Sequence, residues 1–138
     1  MTTKMKETSR RYGKSQSTMI ECGKYGCLFL CLLSIFEEFQ GVQVDFLNAV
    51  DYCKRNNLIR DDFYVNDGLK ILESLTSRKW KRRIVDKLPS AIKENEFTIE
   101  VWRYLDKTHF RRRYFDTLEK SITVSNGFLS HYYIYEVV

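Results

Sequence analysis

The chain has 138 residues, the size of one ordinary domain, with 43% hydrophobic and 14% aromatic residues. That composition excludes an intrinsically disordered chain and supports one packed core. A formal net charge of +5 and a single proline exclude an acidic or linker-rich protein; the mild basic excess is compatible with an anionic partner and identifies none.

Residues 1–19 are polar, basic and aperiodic, and read as a flexible N-terminal arm ahead of a single domain over 20–138. From Gly26 the pattern becomes helical. Cys27, Leu30, Cys31, Ser34 and Ile35 share one face, and Leu28, Leu32, Phe36 and Phe39 fill the adjoining positions. A helix apolar over most of its circumference is buried on most sides. It turns polar at Glu37, Glu38 and Gln40 and stops at Gly41. Asp45 can cap a second helix with Phe46, Leu47, Ala49, Val50 and Cys53 inward. After a short irregular link, "FYVN", Asn66 or Asp67 can cap a third helix running to about Ser74.

The second half changes period. "KWKRRIV", "FTIEVWRYL", "THFRRRYF", "SITV" and "FLSHYYIYEVV" are rich in β-branched and aromatic residues, with "SNG" as a hairpin turn before the last. Helices first and strands afterwards predict an α+β fold with N-terminal helices packed on a C-terminal antiparallel sheet.

Four cysteines are present, Cys22, Cys27, Cys31 and Cys53. No secretory apolar region follows the first Met, and no stretch is long enough to cross a bilayer. The expectation is a cytoplasmic protein with reduced thiols and no membrane contact. No C-x-x-C pair occurs and there are two histidines, so no metal and no cofactor is expected.

The stretch "ECGKYGCLFLCLLSIFEEFQG" bears on function. A cysteine in the first turn of a buried helix meets unpaired N–H groups and the positive end of the helix dipole, which stabilise a thiolate. Gly23 and Gly26 would let a substrate approach the backbone. The competing reading is a small core residue, because free cysteine is among the most buried residue types. Cys31, one turn deeper, reads as core, and Cys22 and Cys53 as structural or exposed.

That stretch resembles the start of papain-like cysteine peptidases, in particular the bacteriocin-processing branch. The "HF" at 109, "YFD" at 114–116 and "SITVSNG" resemble that fold's histidine strand, aspartate strand and final hairpin. "YGC" at 25–27, "YV" at 64–65 and the stretch from Asp116 to Gly127 are more similar still to an uncharacterised set of small bacterial proteins carried on phages and plasmids. The likeness covers roughly residues 20–138 and implies a papain-like fold. It implies Cys27 as nucleophile, His109 as general base on a strand facing the helix end, and Asp116 as the group that orients the imidazole. The implied reaction is acyl transfer on a peptide or other amide, through a thioester.

Three features depart from the family pattern. Glu21 stands where the family has an oxyanion-donating glutamine, and a carboxylate repels an oxyanion. Gln16 could donate from the arm instead. His109 and Asp116 are seven residues apart, about 23 Å along one strand at about 3.3 Å per residue, so they meet only across a tight turn at the Arg111–Arg113 run. Thr117 follows the aspartate where the related set often has proline. His131 is an alternative base, although a histidine among strand aromatics is more often a packed residue.

Two basic clusters, Arg78, Lys79, Lys81, Arg82 and Arg83, then Arg111, Arg112 and Arg113, interleave with Trp80, Phe110 and Tyr114. Arginine beside aromatics is the composition of a single-strand nucleic-acid groove. The competing reading is a solvated strand face whose charges protect an edge. Two function classes stay open: a cysteine hydrolase of amides, and a papain-like fold without catalysis that binds a protein or nucleic acid.

Overall fold

The computed structural model describes residues 22, 26–104, 107–112 and 127–138. Among the described residues, three helices precede a four-stranded antiparallel sheet, an α+β arrangement. The helices are α1 (Cys27–Gln40), α2 (Phe46–Arg55) and α3 (Gly68–Thr76). The strands are β1 (Trp80–Val85), β2 (Glu96–Tyr104), β3 (Lys107–Arg111) and β4 (Phe128–Val137), in the order β1-β4-β2-β3.

Each helix boundary has a local cause. Helix α1 starts without a side-chain cap because its N-cap is Gly26, and it ends at Gly41, whose φ of 70° is open to glycine. The Gly41 N–H then donates to the Glu37 carbonyl at 2.8 Å. The Asp45 carboxylate accepts from Asn48 N and starts α2; the Asp67 carboxylate accepts from Lys70 N and starts α3. Glu37 lies buried inside the fold, and its Oε2 accepts from Val44 N at 2.9 Å, which pins the turn between α1 and α2.

Helix α1 is the spine of the core. Phe29, Leu32, Leu33 and Ile35 are fully buried among Phe46, Cys53, Ile71 and Leu72 of the other helices and Phe97, Ile99 and Tyr135 of the sheet. Burying each large apolar side chain contributes about 1.5–3 kcal/mol. At its C-terminal end, Phe39 meets Trp80 and Phe97 edge-on, with ring centroids 5.3 and 6.1 Å away. Trp80 Nε1 donates to Thr76 Oγ1 at 2.8 Å, fixing the short step from α3 into β1.

Pairing register assigns every strand residue to a face, because side chains alternate. Phe97, Ile99 and Val101 of β2 lie opposite Tyr135, Tyr133 and His131 of β4, and Val101 also lies opposite Phe110 of β3. This is the helix side. Glu96, Glu100, Ile134 and Arg111 take the second side. A bulge interrupts the β2–β4 ladder between Val101 and Trp102, where Ser130 is skipped.

Candidate functional site

Cys27 sits in the first turn of α1, as its position after Gly26 predicts. Gly26 is there for steric reasons. A Cβ at this position would stand 2.7 Å from the Cys22 carbonyl oxygen and 2.9 Å from Phe63 Cβ, too close for any side chain. Gly26 N also donates to the Cys22 carbonyl. Cys22, Cys31 and Cys53 are buried, whereas Cys27 is half-buried. Burial raises the Cys22 thiol, with Cys27 adding to the effect and Lys54 opposing it, and burial pushes the Cys53 thiol up to about 11. Those two thiols are held neutral. None of the four forms a disulfide.

Cys27 opens onto a cavity of about 350 Å³. Leu28 continues the helix wall, and Phe63, Tyr64 and Val65 form the facing loop wall. That loop is held in place by local polar bonds. Asp62 accepts from Arg60 and from Tyr64 N, and these bonds hold its carboxyl below the usual range. Arg60 N donates to the Tyr64 carbonyl. The turn sets Phe63 at φ 68°, a left-handed conformation uncommon for a bulky residue, and drives its ring into the core beside Phe29. No local pattern in the sequence marks Phe63 as a wall of the cavity. The Asp61–Asp62 pair before it was the available turn signal.

The sheet closes the cavity from below. Thr108 and Phe110 of β3, Tyr133 of β4 and Arg82 of β1 line it. Phe110 and Tyr133 stack with centroids 5.8 Å apart, and the Arg82 guanidinium lies 4.8 Å over the Tyr133 ring.

Cys27 and His109 are not brought together. Residues 108 and 110 face the cavity, so alternation turns His109 to the second side, where it lies opposite Trp102. His109 is buried there. Its neighbours on that side form a tight polar cluster. Glu100 Oε1 accepts from Arg111 Nε at 2.6 Å and from Trp102 Nε1 at 2.9 Å, and the Arg111 guanidinium lies 4.7 Å over the Trp102 ring. The expectation that the His109 strand presents its imidazole to the helix end is therefore not what the register gives. Gln16, Glu21, Arg113 and Asp116 lie outside the described residues, as do the arm at 1–19 and most of the "SNG" turn.

The imidazole on the helix side is His131. It stands opposite Val101, in the row that carries Phe110 on the next strand, and its ring is 5.7 Å from that of Tyr133. Ser130, the bulge residue, places its Oγ 2.9 Å from His131 Nδ1. Neither histidine is among the residues that line the cavity.

The basic clusters are largely consumed by the fold. Lys81 pairs with Glu136 at 3.0 Å and Arg83 with Glu96 at 2.6 Å. The Lys93 N–H and the Arg83 guanidinium hold the Glu96 carboxyl below its usual range. Arg111 pairs with Glu100, and buried Arg112 joins β3 to α1 through Glu38 at 2.7 Å and donates to the Thr98 carbonyl. Arg78 lies over the Phe39 ring. Lys79 is exposed. Of the remaining members, Arg82 lines the cavity and Arg113 lies outside the described residues.

Among the described residues no three His, Cys, Asp or Glu side chains are grouped to hold a metal ion, and no helix is long and apolar enough to cross a membrane. Comparison of the chain with protein-family models, with curated proteins and with solved structures gives no match.

Proposed function

We propose that the protein is a cysteine hydrolase of papain-like type, acting on an amide through Cys27. The single observation that carries this reading is the placement of Cys27: first turn of a buried helix, no side-chain cap before it, half-exposed onto a cavity while the other three thiols are buried. An uncapped helix start offers N–H groups and a positive field to an anion at this point. The long helix that opens at the cysteine and the antiparallel sheet behind it agree with a papain-like layout.

The base in this reading is His131, on the same side of the sheet, in place of His109. In the tautomer this role requires, His131 Nδ1–H donates to Ser130 Oγ and Nε2 accepts the thiol proton. The thiol proton passes to that imidazole as sulfur adds to the amide carbonyl. The C–N bond then breaks, and the imidazolium returns the proton to the departing amine. Water attacks the thioester and releases the acid and the thiol. Apo pairs of this kind are commonly loose and tighten when substrate binds.

A second reading is a silent binding domain of the same fold. It is favoured by the absence of both histidines from the cavity lining. One experiment separates the two: alkylation by iodoacetamide at pH 6, read for all four thiols by peptide mass spectrometry. The hydrolase reading requires Cys27 to react fastest and His131→Ala to slow it, while His109→Ala leaves it unchanged. Equal labelling of Cys27 and the buried thiols, or no effect of His131→Ala, leaves the binding reading standing.

A further inference from the structure

The cavity has one charged wall, and among the described residues no carboxylate lines it. Three consecutive cations lie on β1, and the strand alternates them between faces. Lys81 and Arg83 point to the second side, where Glu136 and Glu96 take them. Arg82 points to the helix side and, among the described residues, is the single charged residue lining the cavity; no described Asp or Glu lines it. Among the described residues no carboxylate lies within ion-pair distance of Arg82. Its guanidinium rests instead 4.8 Å over the Tyr133 ring. Arg82 also turns toward the Tyr135 hydroxyl; a guanidinium resting on an aromatic face keeps its remaining edge donors available for a carboxylate.

We propose that this cavity takes an acidic peptide segment, with Arg82 binding the carboxylate of an Asp or Glu side chain while the amide lies at Cys27. The rest of the wall fits the rest of such a ligand. Phe63, Phe110 and Leu28 offer apolar surface to a neighbouring side chain, and about 350 Å³ accommodates a residue or two, not a folded partner. The placement of the amide rests on the hydrolase reading. The recognition of the anion does not, because it needs no turnover.

The test compares two reagents that differ only in charge. Iodoacetate carries a carboxylate, iodoacetamide an amide, and both alkylate the Cys27 thiolate. At low ionic strength the iodoacetate-to-iodoacetamide rate ratio for Cys27 should fall about threefold or more in Arg82→Gln, the scale of a partly exposed ion pair. Arg82→Lys should keep part of the ratio. Lys81→Gln, which removes a cation from the other side of the sheet, should keep all of it. Acetyl-Phe-Glu-amide should protect Cys27 from iodoacetamide better than acetyl-Phe-Gln-amide or sodium acetate, and Arg82→Gln should erase the difference.

A ratio indifferent to Arg82→Gln overturns the proposal, as does an equal fall in Lys81→Gln, which would report only diffuse charge. Protection by acetate as strong as by the Glu peptide overturns the peptide part, and no protection by any of the three does the same. The fate of the hydrolase reading is read separately. If Cys27 is not selectively labelled at pH 6, the ratio is measured at pH 9, and an Arg82-dependent ratio there supports an acidic-peptide site in a domain without catalysis.

Discussion

Each side of the sheet carries buried residues, yet the two are built from opposite chemistry. On the helix side, Phe97, Ile99, Tyr135 and Val137 continue the apolar core, and the uncovered end of that side is the cavity at Cys27. On the second side, Glu100, Arg111 and Trp102 form a compact charged cluster with His109 in the same layer. A step of one residue along β3 moves from one chemistry to the other: Phe110 lines the cavity at Cys27, and His109 lies opposite Trp102. Residue type alone does not make a catalytic pair. The strand register decides which side chain the nucleophile meets.

The largest effect separating the sides is expected from Glu100→Gln. It leaves the Arg111 cation, with its side chain 10% exposed, without its carboxylate, and should cost about 3 kcal/mol in urea unfolding. Labelling of Cys27 in the folded variant should stay unchanged, since the cluster lies across the sheet. Replacing Glu100 and Arg111 together by Leu and Met should recover most of the loss.

On the helix side, Gly26→Ala forces a methyl group against the Cys22 carbonyl and Phe63 Cβ, and neither atom can swing aside. A loss of about 1–3 kcal/mol is expected. Here Cys27 alkylation should change as well, because the helix start itself must shift. A variant that loses stability with the Cys27 rate intact would show that Gly26 supports the fold without positioning the thiol.

The buried thiols give a smaller, pH-dependent effect. Burial holds the folded Cys53 thiol protonated up to about pH 11, whereas an unfolded cysteine ionises near pH 8.5. Between those values the unfolded chain binds fewer protons, so stability falls as pH rises, by about 1.4 kcal/mol per pH unit for one such thiol. Urea midpoints at pH 7, 9 and 10 should fall more steeply for the parent protein than for Cys53→Ala. Parallel slopes would show that Cys53 is not held neutral.

The helical half was legible because its signals are local. Gly41 ends α1, Asp45 and Asp67 cap the next two helices, and the apolar spacing after Gly26 marks the spine. The strands were legible as strands for the same reason. Their faces were not. In "KTHFRRR" each side receives an aromatic or imidazole ring and an arginine, so the alternation carries no apolar–polar contrast. Burial of His109 and Arg111 on one side and of Arg112 on the other removes the remaining cue. Phe63 was missed for another reason: a left-handed turn at a bulky residue is selected by the packing against Phe29 and Gly26, which no local pattern encodes.

Which residue of β3 faces Cys27 decides what the thiol meets, and cross-linking measures that directly. Two variants, Thr108→Cys and His109→Cys, are treated with dibromobimane, which bridges neighbouring thiols. The register predicts a bridge from position 108 to Cys27, because both line one cavity, and none from position 109. A bridge to Cys27 from position 109 with none from 108 would place the histidine on the thiol's side of the sheet and contradict the account.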